Sequence, residues 1–400
     1  MSKNLTKEEK RVILGISFAV ATRMLGLFLL LPVLSPYLKN LEGSTPFLIG
    51  LAIGIYGFAQ AILQIPFGYL SDKVGRKPVI ILGMITYILG SLLGGFAKGI
   101  WIMILARFIQ GFGAVSSAMT ALSSDLTREE VRTRAFAIIG SSISLVFTFS
   151  VVFAPVIAGM VGVPVLFYLT AFLSLLATLY LAFFIPEPKN HHREIEPSLK
   201  NFLIVLTDIN QIFLNLSIAI LHAFLVAIFT TVPYKLVYEY GMPKIEHWKI
   251  YLPALTLSLA LMAPAVILAE KRKKFGEVFV LGVALIGIGF LIYQVFNSFY
   301  GAIILLFLFL IGFHVLEPII PSLLTKLTHR DLRGLSLGLF NTVQFLGAFL
   351  GGLLGGFAIK HGIWVFTTMG MVFSIFWLIS TYLWSRGLKR LFKNPSGSAE

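Results

Sequence analysis

Twelve stretches of about 20 or more mostly apolar residues follow one another along the 400-residue chain, separated by short polar segments. A stretch of that length crosses the hydrocarbon core of a bilayer as an α-helix. The spans read as 12–38, 47–71, 78–97, 100–124, 135–161, 164–185, 208–234, 248–269, 275–296, 299–325, 335–359 and 363–385. The composition agrees: 57% of the residues are hydrophobic and 12% charged, against about 25% charged in water-soluble domains. So much apolar surface cannot be hidden inside a globule of this size, and lipid must cover the rest. The same hydrophobicity excludes disorder, and a chain with no cysteine excludes a disulfide scaffold.

A surplus of 32 Lys and Arg over 18 Asp and Glu usually suggests an acidic partner such as nucleic acid. The position of the charges removes that reading. Of the 32, 24 fall in the two tails, the loops after spans 2, 4, 8 and 10, and the central linker; six fall in the opposite loops, and Arg23 and Arg107 lie inside spans 1 and 4. Such a bias is the positive-inside signal, so both termini and the linker are expected in the cytoplasm and no nucleic acid is expected to bind. The polar linker pair His191-His192 is read as solvated.

The second half repeats the first at an offset near 200 residues. Pro32 answers to Pro233, Pro66-x5-Asp72-Lys73 to Pro264-x5-Glu270-Lys271, and Gly111-Phe112 to Gly312-Phe313. Leu126-Thr127-x-x-Glu130-Val131-Arg132 answers to Leu327-Thr328-x-x-Asp331-Leu332-Arg333. The expectation is an all-α membrane protein of twelve transmembrane helices in two six-helix, pseudo-symmetric halves: residues 1–185 and 208–385, with a cytoplasmic linker 186–207 and tail 386–400. Parallel repeats of this kind are a transporter architecture, with a binding site at the midplane between the halves.

Gly68-Tyr-Leu-Ser-Asp72-Lys-Val-Gly75-Arg76-Lys77, between spans 2 and 3, resembles the loop signature of the major facilitator superfamily. Arg107-Phe-Ile-Gln110-Gly111-Phe-Gly113-Ala114 in span 4 is similar to that superfamily's Arg-containing motif. Span 5 carries Ser150-x3-Ala154-Pro155-x2-Ala158-Gly159, which keeps the Pro and one Gly of the antiporter motif and has Ser or Ala elsewhere. Within the superfamily the likeness is to the YajR-like group of bacterial proton-driven transporters. It is carried by Arg23-Met-Leu-Gly26, Ile53-Gly-Ile-Tyr56-Gly57, Gln64-Ile-Pro66-Phe-Gly68, Ser124-Asp125-Leu-Thr-Arg128-Glu129, His247-Trp248-Lys249 and Gln344-Phe-Leu-Gly347. One member of that group has a further soluble C-terminal domain, and this sequence ends soon after span 12.

The resemblance implies a monomeric, non-enzymatic transporter of the bacterial inner membrane, moving a small molecule by alternating access and coupled to protons. Proton antiport with export, proton symport or facilitated import of a metabolite, and a non-transporting receptor or scaffold on the same fold remain open at this point. The absence of a phosphate-cradling Walker sequence argues against ATP as the direct energy source, and no cofactor or metal is expected. In the loop signature the resemblance places Asp72 against the start of span 11 and pairs Arg76 with Asp125. Asp72, Arg76, Lys77 and Asp125 therefore form an expected cytoplasmic latch of the outward-facing state.

Ionisable residues inside a bilayer are costly and are functional-site hypotheses by default. Glu317 is the one acid placed well inside a span, and low dielectric favours the neutral form of a carboxyl group; a group that gains and loses a proton during transport fits there. His314, three residues earlier, shares its helix face. Arg107 is expected either to hold an anionic group or to tune an approaching acid. Arg23, His222, Gln60, Asn341 and Gln344 are the candidate cavity residues. The repeat supplies a control, because Arg107 aligns with Leu308, Arg23 with Phe224, His314 with Gly113 and Glu317 with Ser116. The stripes Gly347-x3-Gly351-x3-Gly355 and Gly352-x3-Gly356 are read as close-packing surfaces on which the halves slide.

Overall fold

The computed structural model describes residues 5–188, 199–329 and 332–393. His191-His192 and Asp331 lie outside the described residues. The helices are α1 (Lys7–Leu30), α2 (Leu34–Leu38), α3 (Pro46–Val74), α4 (Arg76–Phe96), α5 (Ile100–Gly111), α6 (Ser116–Asp125), α7 (Glu129–Val161), α8 (Val163–Phe184), α9 (Leu199–Thr207), α10 (Ile209–Tyr238), α11 (Trp248–Lys271), α12 (Phe275–Val295), α13 (Phe299–Leu327), α14 (Arg333–His361) and α15 (Ile363–Lys393). Among the described residues twelve helical segments are long and apolar enough to cross a membrane, with α5 and α6 together making one.

Helix starts follow from capping chemistry. Thr6 and Glu9 form a capping box at α1, Thr45 caps α3 with Pro46 in the first position, and Asp208 and Ser298 cap α10 and α13. Two expected spans are interrupted. Span 1 breaks at Leu31–Val33, around Pro32, whose ring and missing N–H oppose helix continuation. Span 4 breaks at Phe112–Val115, between α5 and α6. The end of the linker is itself helical, as α9, and packs on α10 and α14.

Within the first six spans α1 packs on α7 and α8, α4 on α5 and α8, and α3 on α5; within the last six α10 packs on α14, α12 on α13 and α15, and α11 on α13. The glycine stripes of α14 serve two different purposes. Gly347 and Gly351 lie on the backbone of α10 at Ala219 and Ala223, and Gly355 lies on Thr230, all inside the second half. Gly352 and Gly356 face the other way and meet Gly50, Gly54 and Pro46 of α3 in the first half. A Cβ at Gly352 would stand 2.6 Å from the Gly54 nitrogen and 2.7 Å from the Gly50 carbonyl oxygen. The stripe that meets the other half is thus the second, and its partner, Gly50-x3-Gly54, lies in α3.

That seam closes the molecule at the end opposite the termini. Gly159 of α7 meets Ile245 in the turn before α11, the Tyr238 hydroxyl donates to the Pro36 carbonyl at 2.9 Å, and the Lys39 ammonium sits 3.6 Å from the Tyr238 ring centre. Towards the end bearing the termini the halves separate. Gly140 of α7 and Gly338 of α14 have open space beside them, and Ile62, Ile65, Tyr69 and Val74 of α3 are exposed.

A Cβ branch on the inter-half stripe should therefore act on conformation, and one on the intra-half stripe on folding. With spin labels on cysteines at positions 39 and 244 of this cysteine-free chain, Gly352→Val should widen the inter-label distance distribution while the protein remains folded. Gly347→Val should lower thermal stability and leave that distribution unchanged.

Candidate functional site

Between the halves lies a cavity of about 560 Å³, lined from both sides. Tyr56, Arg107 and Ser116 belong to the wall of the first half, and His222, His314, Glu317, Asn341 and Gln344 to that of the second. Most of the remaining wall is apolar, including Phe28, Phe147, Phe313 and Phe345.

Glu317 is half-buried, and among the described residues its carboxyl has no hydrogen bond and no ion pair. It is not the partner of a buried arginine in this conformation. His314 is buried; its Nδ1 donates to the Leu310 carbonyl at 2.9 Å and its ring lies edge-on to Phe147 at 5.6 Å. The His222 Nδ1 donates to the Ile218 carbonyl at 3.2 Å, so its Nε2 accepts from the Gln344 amide at 2.7 Å. This bond ties α10 to α14 at the cavity. Asn341, one turn before Gln344, lines the same wall.

Arg107 is buried against the opposite wall. Its Nη1 binds the Gln110 amide oxygen, its guanidinium lies 4.7 Å from the Tyr56 ring centre, and its Nε has no acceptor. Gln110 in turn donates to the Ser91 hydroxyl at 2.9 Å. A cation over an aromatic face gains modest stabilisation, but no carboxylate reaches this guanidinium among the described residues.

Arg23 and Gln60 are corrected: both are 0% exposed and neither lines the cavity. The reason is the break in span 4. Stopping the helix at Gly111 leaves the Gly113 carbonyl outside the α-helical ladder, with a tight-turn bond from the Val115 N–H at 2.9 Å and a second lone pair to fill in hydrocarbon. The Arg23 Nη1 donates to it at 3.0 Å and to the Gln60 amide oxygen at 3.2 Å, while Nη2 binds the Ser116 hydroxyl. Gln60 continues the chain to the Tyr56 hydroxyl at 3.2 Å. Arg23 is thus a bolt across the broken helix.

The repeat explains why Glu317 stands alone. Gly113 and Ser116, which hold Arg23, align with His314 and Glu317, while Arg23 itself aligns with Phe224. An arginine at Phe224 would place a guanidinium opposite the acid; a buried Phe stands there, packed on Phe290.

The expected latch residues come together, all within the first half. Arg76 binds Asp72, its Nε donates to Asp125 at 3.2 Å, and its Nη1 donates to the Ser71 hydroxyl at 2.8 Å. The expected contact of Asp72 with the start of span 11 is not made in this conformation: among the described residues no hydrogen bond or ion pair joins Asp72 to α14. At the terminus-bearing end the halves stand apart, which removes that partner. Lys77 takes part through its backbone N–H, which donates to Glu187 at 2.8 Å, and the Arg76 N–H donates to the same carboxylate at 2.7 Å. Glu187 is therefore a missed member, capping α4 from the segment after span 6 where a negative charge meets the helix N-terminus. A second missed pair is Glu9 with Arg128, joined by two side-chain bonds of 2.8 and 3.0 Å. The sequence signal for Glu187 was an acid set between Pro186 and Pro188, directly after a span.

The Major Facilitator Superfamily family model matches residues 16–352. The chain belongs to this superfamily. It is 38% identical over 355 residues to the inner membrane transport protein YajR of Escherichia coli (strain K12), covering 88% of this chain and 78% of that one. It is 27% identical over 361 residues to the quinolone resistance protein NorA of Staphylococcus aureus, covering 85% of this chain and 87% of that one. Among solved structures, a bacterial homolog of the human lysosomal transporter Spinster, in an inward-facing and unoccupied conformation, superposes with a TM-score of 0.77 at 14% identity, over 95% of this chain and 96% of that one. The protein is a multi-pass membrane transporter and not an enzyme.

If Arg23 bolts the broken helix, Arg23→Met strands the Gln60 amide oxygen and leaves the Gly113 carbonyl with its bond from the Val115 N–H alone. Stability should fall by about 1 to 3 kcal/mol, the usual penalty for unsatisfied buried groups, seen as a lower melting temperature in detergent.

Proposed function

We propose that the protein is a proton-driven antiporter that exports a small molecule across the inner membrane of a bacterium, working as a monomer by alternating access of the two six-helix halves. The observation that carries this reading is Glu317, a carboxyl with no described partner on the wall of a cavity sealed at one end. Such a group can take a proton when the cavity faces one side and release it when it faces the other. His314 stands one turn away as a second proton acceptor, and Arg107 faces the same cavity from the first half. His222, Asn341 and Gln344 offer polar contacts to the substrate.

The bias of 24 Lys and Arg against six supports cytoplasmic termini. On that orientation the seam of Gly50, Gly54, Gly352 and Gly356 closes the outer side, and this is an inward-facing conformation. Export is supported by the likeness to a protein named for quinolone resistance. In the opposite conformation the halves meet at the cytoplasmic end, where Asp72, Arg76, Lys77 and Asp125 form the latch, with Glu187 holding the loop in shape.

Glu317→Gln should reduce pH-gradient-driven proton movement in liposomes carrying an internal pH dye to the level of protein-free vesicles, while substrate still binds, though less tightly. Unchanged pH-driven transport overturns the assignment, and the direction of proton movement on substrate addition separates antiport from symport.

Asp72→Asn loses the charge facing Arg76 in both conformations and should weaken most the state in which the latch spans the halves. The population closed on the terminus-bearing side should fall on the order of tenfold, a typical coupling energy, read by accessibility of single cysteines placed at Gly140 and Gly338.

A further inference from the structure

Two charged side chains on the cavity wall lack a partner of opposite charge, and they belong to different halves. Arg107 is 2% exposed, and its Nε has no acceptor; its described polar contact is the neutral Gln110 amide. Glu317 has no described hydrogen bond, and no ion pair joins it to Arg107. A lone guanidinium in low dielectric is held only at considerable cost, which Gln110 and the Tyr56 ring offset in part. Both side chains face the same cavity of about 560 Å³, between aromatic side chains that include Phe147 and Phe313.

We propose that the transported substrate is a zwitterionic amphiphile, its anionic group on Arg107, its ammonium group on Glu317 and its apolar body against Phe147 and Phe313. The inference rests on the antiporter reading with Glu317 as proton site. An ammonium and a proton exclude each other at Glu317, which is the competition that exchange requires. A simple cation would leave Arg107 without a counter-charge. A simple anion would compensate Arg107 and, by its own field, favour protonation of Glu317, so that it would travel with the proton and not against it.

Three probes with one aromatic body test this on the purified protein at pH 7 by dansyl fluorescence: Nε-dansyl-lysine, the zwitterion; dansylcadaverine, which lacks only its carboxylate; and Nα-acetyl-Nε-dansyl-lysine, which lacks only its ammonium. The zwitterion should bind about tenfold or more tightly than either relative, the factor that one charge-assisted hydrogen bond contributes. Arg107→Gln should bring the zwitterion down to the affinity of dansylcadaverine and leave dansylcadaverine unchanged. Glu317→Gln should bring it down to that of the acetylated probe. Arg107→Lys should restore part of the preference, which separates lost charge from misfolding. Equal affinity of zwitterion and dansylcadaverine in the unaltered protein, an equal fall of both in Arg107→Gln, or binding of none of the three overturns the proposal. Proton flux in liposomes keeps the two readings apart. If Glu317→Gln abolishes pH-driven flux and the probes are not discriminated, only the substrate class fails; if the flux persists, the proton-site reading fails.

Discussion

Hydrocarbon has no hydrogen bonds to offer, and every polar group placed in it must find its partner inside the protein. Twelve helices satisfy that demand for the backbone, and the places where they fail to do so organise everything else. The break at Phe112–Val115 is the clearest case. It frees the Gly113 carbonyl, Arg23 crosses from α1 to fill the gap, Gln60 is drawn in beside it from α3, and Tyr56 follows. One irregularity in one span thus fixes the relative placement of two other helices.

The same demand read in the second half leaves a vacancy of chemistry. Where the first half joins an arginine to a glycine carbonyl and a serine, the second half has Phe224, His314 and Glu317 at the aligned positions. The polar groups there gain no bolt across helices and remain at the cavity wall. Pseudo-symmetry supplies equivalent positions, and the departure from symmetry leaves an acid available to exchange a proton in the proposed cycle.

Conformational change needs halves that touch closely yet part without breaking strong bonds. The contact of α3 with α14 meets both conditions, because glycine on glycine brings backbones together with no side chains to disengage. The ionic groups instead gather at the terminus-bearing end, where Arg76 joins Asp72 and Asp125 within one half. A loop held ready in this way can meet the other half without first being ordered.

Much of this was legible in the sequence. Span number, helical class, the two-fold repeat and the intramembrane placement of Glu317, His314, Arg107, His222, Asn341 and Gln344 follow from apolar run length, charge position and helical spacing, which are local properties; the grouping of Asp72, Arg76, Lys77 and Asp125 was implied by the resemblance of the loop signature. The role of Arg23 was not legible, because its partners lie 37 to 93 residues away and depend on a helix break that apolar run length does not register. Nor was the division of the α14 glycines between α10 and α3, since a stripe names a close contact but not which neighbour makes it. The sequence by itself determined that the chain crosses a membrane twelve times in two related halves, because burial of backbone in hydrocarbon leaves few alternatives. Only the tertiary structure decided which buried charges are satisfied and which face the cavity, because a charge is paired or free according to what other helices bring within reach.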